Sequence, residues 1–122
     1  MNIEVKTNGT SQTAVIRSSQ LLITDVQSAL DLFMTVKYET GCTRIVLNKE
    51  AVTDEFFILS TGLAGEILQK FMNYGIKLAV WGDFSGYTSK PLKDFIYESN
   101  QGNDFFFLAD CDLAIERMLS AA

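Results

Sequence analysis

Ser60 and Thr61 stand immediately before Gly62 and a strongly apolar run in the stretch "ILSTGLAGEILQKF". Two readings of the pair are open. Either the hydroxyls form a chemical site, or they are the cap that starts a helix, in which a side-chain oxygen accepts a backbone N–H and contributes about 1 kcal/mol. A second set of polar residues is scattered further along: Asn48 and Lys49, then Asp83 and Ser85, then Thr88, Ser89 and Lys90. In "WGDFSGYTSK" two glycines and several hydroxyls precede a helix, whose N-terminus attracts anions. The stretch is neither GxGxxG nor GxxxxGK[ST], so a plain loop with an N-cap competes with a phosphate cradle. Asp83 and Lys49 would serve as acid and base if the fold brought them together, and otherwise read as solvated loop charges.

Other chemistries are excluded or unsupported. The chain has no histidine and two cysteines, Cys42 and Cys111, without a CxxC pair. This removes the usual zinc patterns and every Ser-His or Cys-His catalytic arrangement. Glu50, Asp54 and Glu55 in "NKEAVTDEFF" lack EF-hand spacing, and the stretch reads as a solvated connection. We therefore assign no catalytic residue, metal or cofactor. Ten basic against fifteen acidic residues leave a net charge of −5, the wrong sign for a phosphate-backbone binder, so no nucleic-acid partner is expected. The opening "MNIEVKTNGT" lacks a basic region followed by an apolar run, and no apolar stretch approaches membrane-spanning length. A cytoplasmic protein with reduced thiols, making no membrane contact, is expected.

The elements that must position these residues follow from periodicity. At 122 residues and 48% hydrophobic content, one domain over 1–122 can bury a core without staples. Ile3 and Val5, then Asn8-Gly9, then a run around Ala14 to Arg17 predict a β-hairpin. Thr24 with Gln27 reads as a capping box, and Val26, Ala29, Leu30, Phe33 and Met34 recur at helical spacing until Gly41. "TRIVLN" reads as a buried parallel strand. Leu63, Ala64, Ile67, Leu68, Phe71 and Met72 form the apolar face of a second helix ended by Gly75. "IKLAVWGD" is the next strand. Thr88 or Ser89 caps a third helix that tolerates Pro91 in its first turn. "DFFFLAD" is the last strand, and Asp110 caps a final helix with Cys111, Ala114, Ile115 and Met118 inward. Trp81 and the three phenylalanines 105 to 107 read as core, and both cysteines as buried small hydrophobes.

The order β-β-α-β-α-β-α-β-α predicts a single-domain α/β fold with a mostly parallel, mixed sheet and an opening hairpin. In such a sheet the usable surface is the rim beyond the carboxyl ends of the parallel strands. That rim should collect Asn48, Lys49, Ser60, Thr61, Asp83, Ser85, Thr88, Ser89 and Lys90.

The whole chain, through "TVKYETGCTRIVLNKEAV" and on to "DFFFLAD", resembles an uncharacterised bacterial family known only as a domain of unknown function, number 4180, which carries no activity with it. More distantly, the element order and the local "LSTGL" resemble the anti-sigma-factor antagonist domains called STAS. There an Asp-Ser-Ser-Gly-Leu signature starts the second helix, its second hydroxyl is phosphorylated by a partner kinase, and the surrounding surface docks that partner. Aligned on Gly62 and Leu63, Ser60 matches the first hydroxyl and Thr61 the phosphorylated one, while Leu59 replaces the acidic residue. The resemblance implies a STAS-like, non-enzymatic regulatory module, with a protein partner bound at Ser60, Thr61 and Gly62 and signalling through phosphate. A small-molecule site for a nucleotide or anionic metabolite on the Lys49–Lys90 rim is the alternative. A third reading is a homodimer whose helices bury one another.

Overall fold

Gly9, with φ of 63°, turns the chain through a two-residue loop that joins β1 (Ile3–Asn8) to β2 (Ser11–Ile16). The antiparallel register runs from Asn8 opposite Ser11 to Ile3 opposite Ile16. The computed structural model describes all residues from Met1 to Ala122. After the hairpin come α1 (Val26–Thr40), β3 (Arg44–Asn48), α2 (Leu63–Asn73), β4 (Lys77–Trp81), α3 (Lys90–Gln101), β5 (Phe105–Leu108) and α4 (Cys111–Ser120). This is the alternating order that periodicity predicts. The five strands form one mixed sheet in the order β1-β2-β3-β4-β5, parallel from β2 onward.

Strand order and handedness together decide the layers. α1, α2 and α3 share one face, as the right-handed rule for parallel crossovers requires when every step moves to the next strand in the same direction. That face holds the larger core, in which Ala14, Ile16, Ile45, Leu47, Leu78, Val80, Phe105 and Phe107 of the strands meet Phe33, Ile67, Phe71 and Leu92 of the helices. α4 packs on the opposite face of the sheet. There Cys111, Ala114 and Met118 cover Val15, Val46, Ala79 and Phe106. The period of two along each strand thus sends Phe106 to one core and its neighbours to the other.

Most helix ends follow their local signals. Gly41 and Gly75, at φ of 75° and 71°, end α1 and α2 in the left-handed conformation. Ser89 caps α3 ahead of Pro91, and the Asp110 carboxylate accepts the Leu113 N–H. α1 differs: its cap is Asp25 with Ser28 in a reciprocal box, one residue past Thr24, because the short carboxylate reaches the Ser28 N–H at 2.8 Å. Met34 and Met72 are turned outward, 60% and 55% exposed, since the stripes containing them are wider than the surface α1 and α2 bury.

The segment read as a solvated connection is instead built into the core. It forms 3₁₀ turns at Lys49–Ala51, Asp54–Phe57 and Leu59–Thr61. Ala51, Val52, Phe56 and Phe57 are buried there. Its backbone is pinned by Leu22 and Ile23, whose N–H groups both donate to the Ala51 carbonyl, while Thr53 donates to Ile23.

Candidate functional site

Asn48 ends β3 and is 8% exposed. Its amide clasps the backbone of Ser18: Oδ1 accepts the Ser18 N–H at 2.8 Å and Nδ2 donates to the Ser18 carbonyl at 2.7 Å. A longer contact of 3.2 Å reaches Glu50. This rim residue therefore fastens the chain leaving β2 to the end of β3.

Lys49 and Asp83 do meet, but not as an ion pair. The Lys49 ammonium donates to the Asp83 backbone carbonyl at 2.9 Å and lies 4.7 Å from the Tyr87 ring centre and 5.7 Å from that of Phe84. Only glycine suits the neighbouring position 82, where a Cβ would lie 2.6 Å from Lys49 Cβ. The Asp83 carboxylate turns the other way, accepting the Ser85 hydroxyl at 2.5 Å and the Ser85 N–H at 2.9 Å. These two bonds hold its pKa below the ordinary 3.8, with a smaller contribution from the Lys49 charge. At neutral pH Asp83 is an ionised acceptor, and a carboxyl of lowered pKa is a weak proton abstractor.

The two sets of candidates converge next to this lysine. Ser60, ahead of α2, and Thr88 with Ser89, ahead of α3, line one groove of about 400 Å³ whose wall includes Phe57, Tyr87 and Pro91. Phe57 stacks on Tyr87 at 5.4 Å and meets Phe84 at 5.7 Å and Phe107 at 6.2 Å, so the aromatic wall is anchored in the core. Of the hydroxyl residues, Ser60 and Thr88 are exposed and their hydroxyls make no intramolecular hydrogen bond, whereas that of Ser89 faces the Leu92 N–H at 3.4 Å.

Thr61 is tied in. Its hydroxyl lies 2.9 Å from the Ile58 carbonyl and 3.0 Å from that of Glu55, and it accepts the Leu63 N–H at 3.2 Å. Gly62, at φ of 78°, occupies the N-cap position of α2 and supplies no side-chain cap. The opening of α2 is thus neither an ordinary serine cap nor a bare one: the Thr61 hydroxyl splices the last 3₁₀ turn to the first helical N–H. Lys90 turns along its own helix to Asp94 at 2.6 Å, and that hydrogen bond raises its pKa. Of the candidates, Asn48, Lys49, Thr61, Gly62, Asp83, Ser85 and Lys90 do not line the groove.

Phe57 and Tyr87 are the aromatic lining residues that the sequence reading did not single out. Tyr87 carried a signal, an aromatic between Gly86 and Thr88 in a rim loop. Phe57 carried one too, since an adjacent phenylalanine pair seldom sits in a solvated connection. On the other face, Arg17 lies over Trp81 at 5.1 Å and both line a hollow of about 620 Å³ with Cys111 and the start of α4. Burial raises the Cys111 thiol pKa, and the Arg17 charge opposes that shift. Both cysteines are free and buried. No three His, Cys, Asp or Glu side chains gather as a metal requires, and no helix is long and apolar enough to cross a membrane.

Residues 8–118 match the family model described as Domain of unknown function (DUF4180). No curated protein and no solved structure matches the chain.

Proposed function

The chain belongs to the DUF4180 family, and from the geometry of its rim we propose that it is a non-enzymatic regulatory domain that binds a protein partner through the groove between Ser60 and Ser89. The observation that carries this reading is the convergence on one aromatic-walled groove of the "LSTGL" segment and the "YTSK" segment, with the Ser60 hydroxyl unengaged on its lip. The engaged titratable groups beside it support binding over chemistry: Lys49 is held by a carbonyl, Asp83 by Ser85 and Lys90 by Asp94. Two free buried thiols support a reducing, cytoplasmic setting.

Phosphate on Thr61, the position that the STAS resemblance implies, is the proposed control. It would add roughly −1.5 to −2 charges at the residue that follows the groove-lining Ser60. It would also remove the hydroxyl proton that Thr61 shares between the Ile58 and Glu55 carbonyls, loosening the 3₁₀ turn that carries Ile58, Leu59 and Ser60 along the groove. Charge and shape of the docking surface would change together.

The test is affinity capture from cell lysate with wild type, Thr61→Ala, Thr61→Glu, Ser60→Trp and Tyr87→Ala as parallel baits. A partner held by wild type, lost with Ser60→Trp and Tyr87→Ala, and discriminating between the two Thr61 variants is expected. A partner held equally by all five would overturn the groove as its site.

One observation favours a second reading. A volume of about 400 Å³ beside a lysine stacked on Tyr87 lies within the range of small-ligand sites. A nucleotide or anionic metabolite that raises Tm for wild type but not for Tyr87→Ala would replace the protein partner with a small molecule.

A further inference from the structure

The two edges of the sheet are treated differently. At β5 the Asn100 amide acts as a substitute strand: Oδ1 accepts the Phe107 N–H at 2.8 Å and Nδ2 donates to the Phe107 carbonyl at 3.0 Å. That edge is capped at Phe107. β1, at the other edge, carries no such cover, and five of its six residues are exposed. An open edge of this length is a template for another strand.

The hairpin decides which groups β1 presents. Its two-residue loop makes Asn8 and Ser11 a hydrogen-bonded pair. By alternation Lys6 with Thr13 and Glu4 with Val15 are hydrogen-bonded pairs too. Ile3, Val5 and Thr7 therefore point their N–H and C=O groups away from the sheet. Glu4 and Lys6 share one face, where their side chains meet at 3.0 Å with both largely exposed. Such an exposed pair contributes little to stability by itself.

We propose that β1 is a homodimer interface, pairing antiparallel with β1 of a second copy about a two-fold axis through Val5, to give one sheet continuous across both chains. The sequence Ile3-Glu4-Val5-Lys6-Thr7 is self-complementary in this register. Val5 opposes Val5 and Ile3 opposes Thr7, and these are the residues whose backbone groups point outward, so each pair exchanges two hydrogen bonds. Glu4 of each copy opposes Lys6 of the other, twice by symmetry, converting an intrastrand contact into cross-strand charge pairs. Shifting the register by one residue on either chain removes both charge pairs, so charge and hydrogen bonding select the same alignment. The two-fold axis lies perpendicular to the sheet, which keeps both α4 helices on one face and leaves the Ser60–Ser89 groove outside the interface. The inference does not depend on the function proposed for that groove.

Sedimentation equilibrium of the full chain, up to roughly 1 mM, tests it. Wild type is expected to show a monomer–dimer equilibrium. Glu4→Lys and Lys6→Glu each place like charges opposite one another twice, and each should raise the dimer dissociation constant on the order of tenfold. An equimolar mixture of the two variants should recover dimerisation, because lysines of one chain then face glutamates of the other, and the double variant Glu4→Lys/Lys6→Glu should recover it within one chain. Val5→Pro, which deletes only an outward N–H, should abolish it while circular dichroism confirms the fold. A wild type monomeric throughout would overturn the interface. So would a dimer indifferent to these substitutions, or a mixture no tighter than either variant alone.

Discussion

Replacing Asn48 by alanine separates a structural rim residue from a ligand-binding one. Asn48 is 8% exposed, and its side chain makes two bonds of 2.8 and 2.7 Å to the Ser18 backbone. A net contribution of about 1 kcal/mol per bond gives a loss of about 2 kcal/mol. Ser18 is itself only half-buried, so water partly recovers its N–H and C=O, which keeps the loss near that value rather than at the larger cost of orphaned groups. With about 2.1 cal/mol/K of unfolding entropy per residue, a chain of this length should lose roughly 4 °C of Tm per kcal/mol, or about 8 °C for Asn48→Ala. Urea titration is the assay, with an unchanged m-value showing that the native state keeps its compactness. Asn48→Asp has the same shape and keeps the acceptor for the Ser18 N–H, but it turns a carboxylate toward the Ser18 carbonyl and Glu50. At neutral pH it should lose at least as much. A loss under about 0.5 kcal/mol for the alanine variant would refute the clasp and return Asn48 to the pool of ligand-binding residues.

Three further outcomes are expected. Asn100→Ala should destabilise by about 2 kcal/mol through loss of both bonds to Phe107, and the uncovered β5 edge should raise the aggregation rate measured by light scattering. Gly62→Ala should cost about 1 kcal/mol in thermal unfolding, because φ of 78° strains any side chain although no neighbouring atom would be struck. Ser85→Ala should raise the Asp83 pKa toward 3.8 in a carboxyl NMR titration. Because the folded pKa is the depressed one, the stabilisation tied to Asp83 is present above 3.8 and is lost as pH falls through the folded value; the variant should show less loss of stability in that acid window.

Local signals carried much of this molecule. The hairpin was legible from Asn8-Gly9 between alternating runs, and α1 and α2 ended at Gly41 and Gly75 because a left-handed residue there needs no Cβ. Asp110 and Ser89 were readable as caps for the same local reason. Where two local signals competed, the reading slipped by a residue: Thr24 and Asp25 both suit a cap, and the reach to Ser28 decided between them. The "NKEAVTDEFF" segment was misread because its period matches neither helix nor strand. Its burial depends on Leu22 and Ile23, more than twenty residues upstream.

The candidate site was legible as residue types but not as partnerships. That Ser60 and Thr88 belong to separate loops follows from sequence; that the loops share a groove follows from β3 and β4 being adjacent, which strand pairing decides. Lys49 and Asp83 were matched by charge, yet the ammonium chose a backbone carbonyl and two aromatic faces. By itself the sequence determined the kinds and order of the elements, because caps, glycines and hydrophobic period act within a few residues. Tertiary structure alone decided which hydroxyls stayed free, which edge was left open and where Asn48 and Asn100 spent their amides, because those outcomes depend on contacts between residues that only the folded sheet brings together.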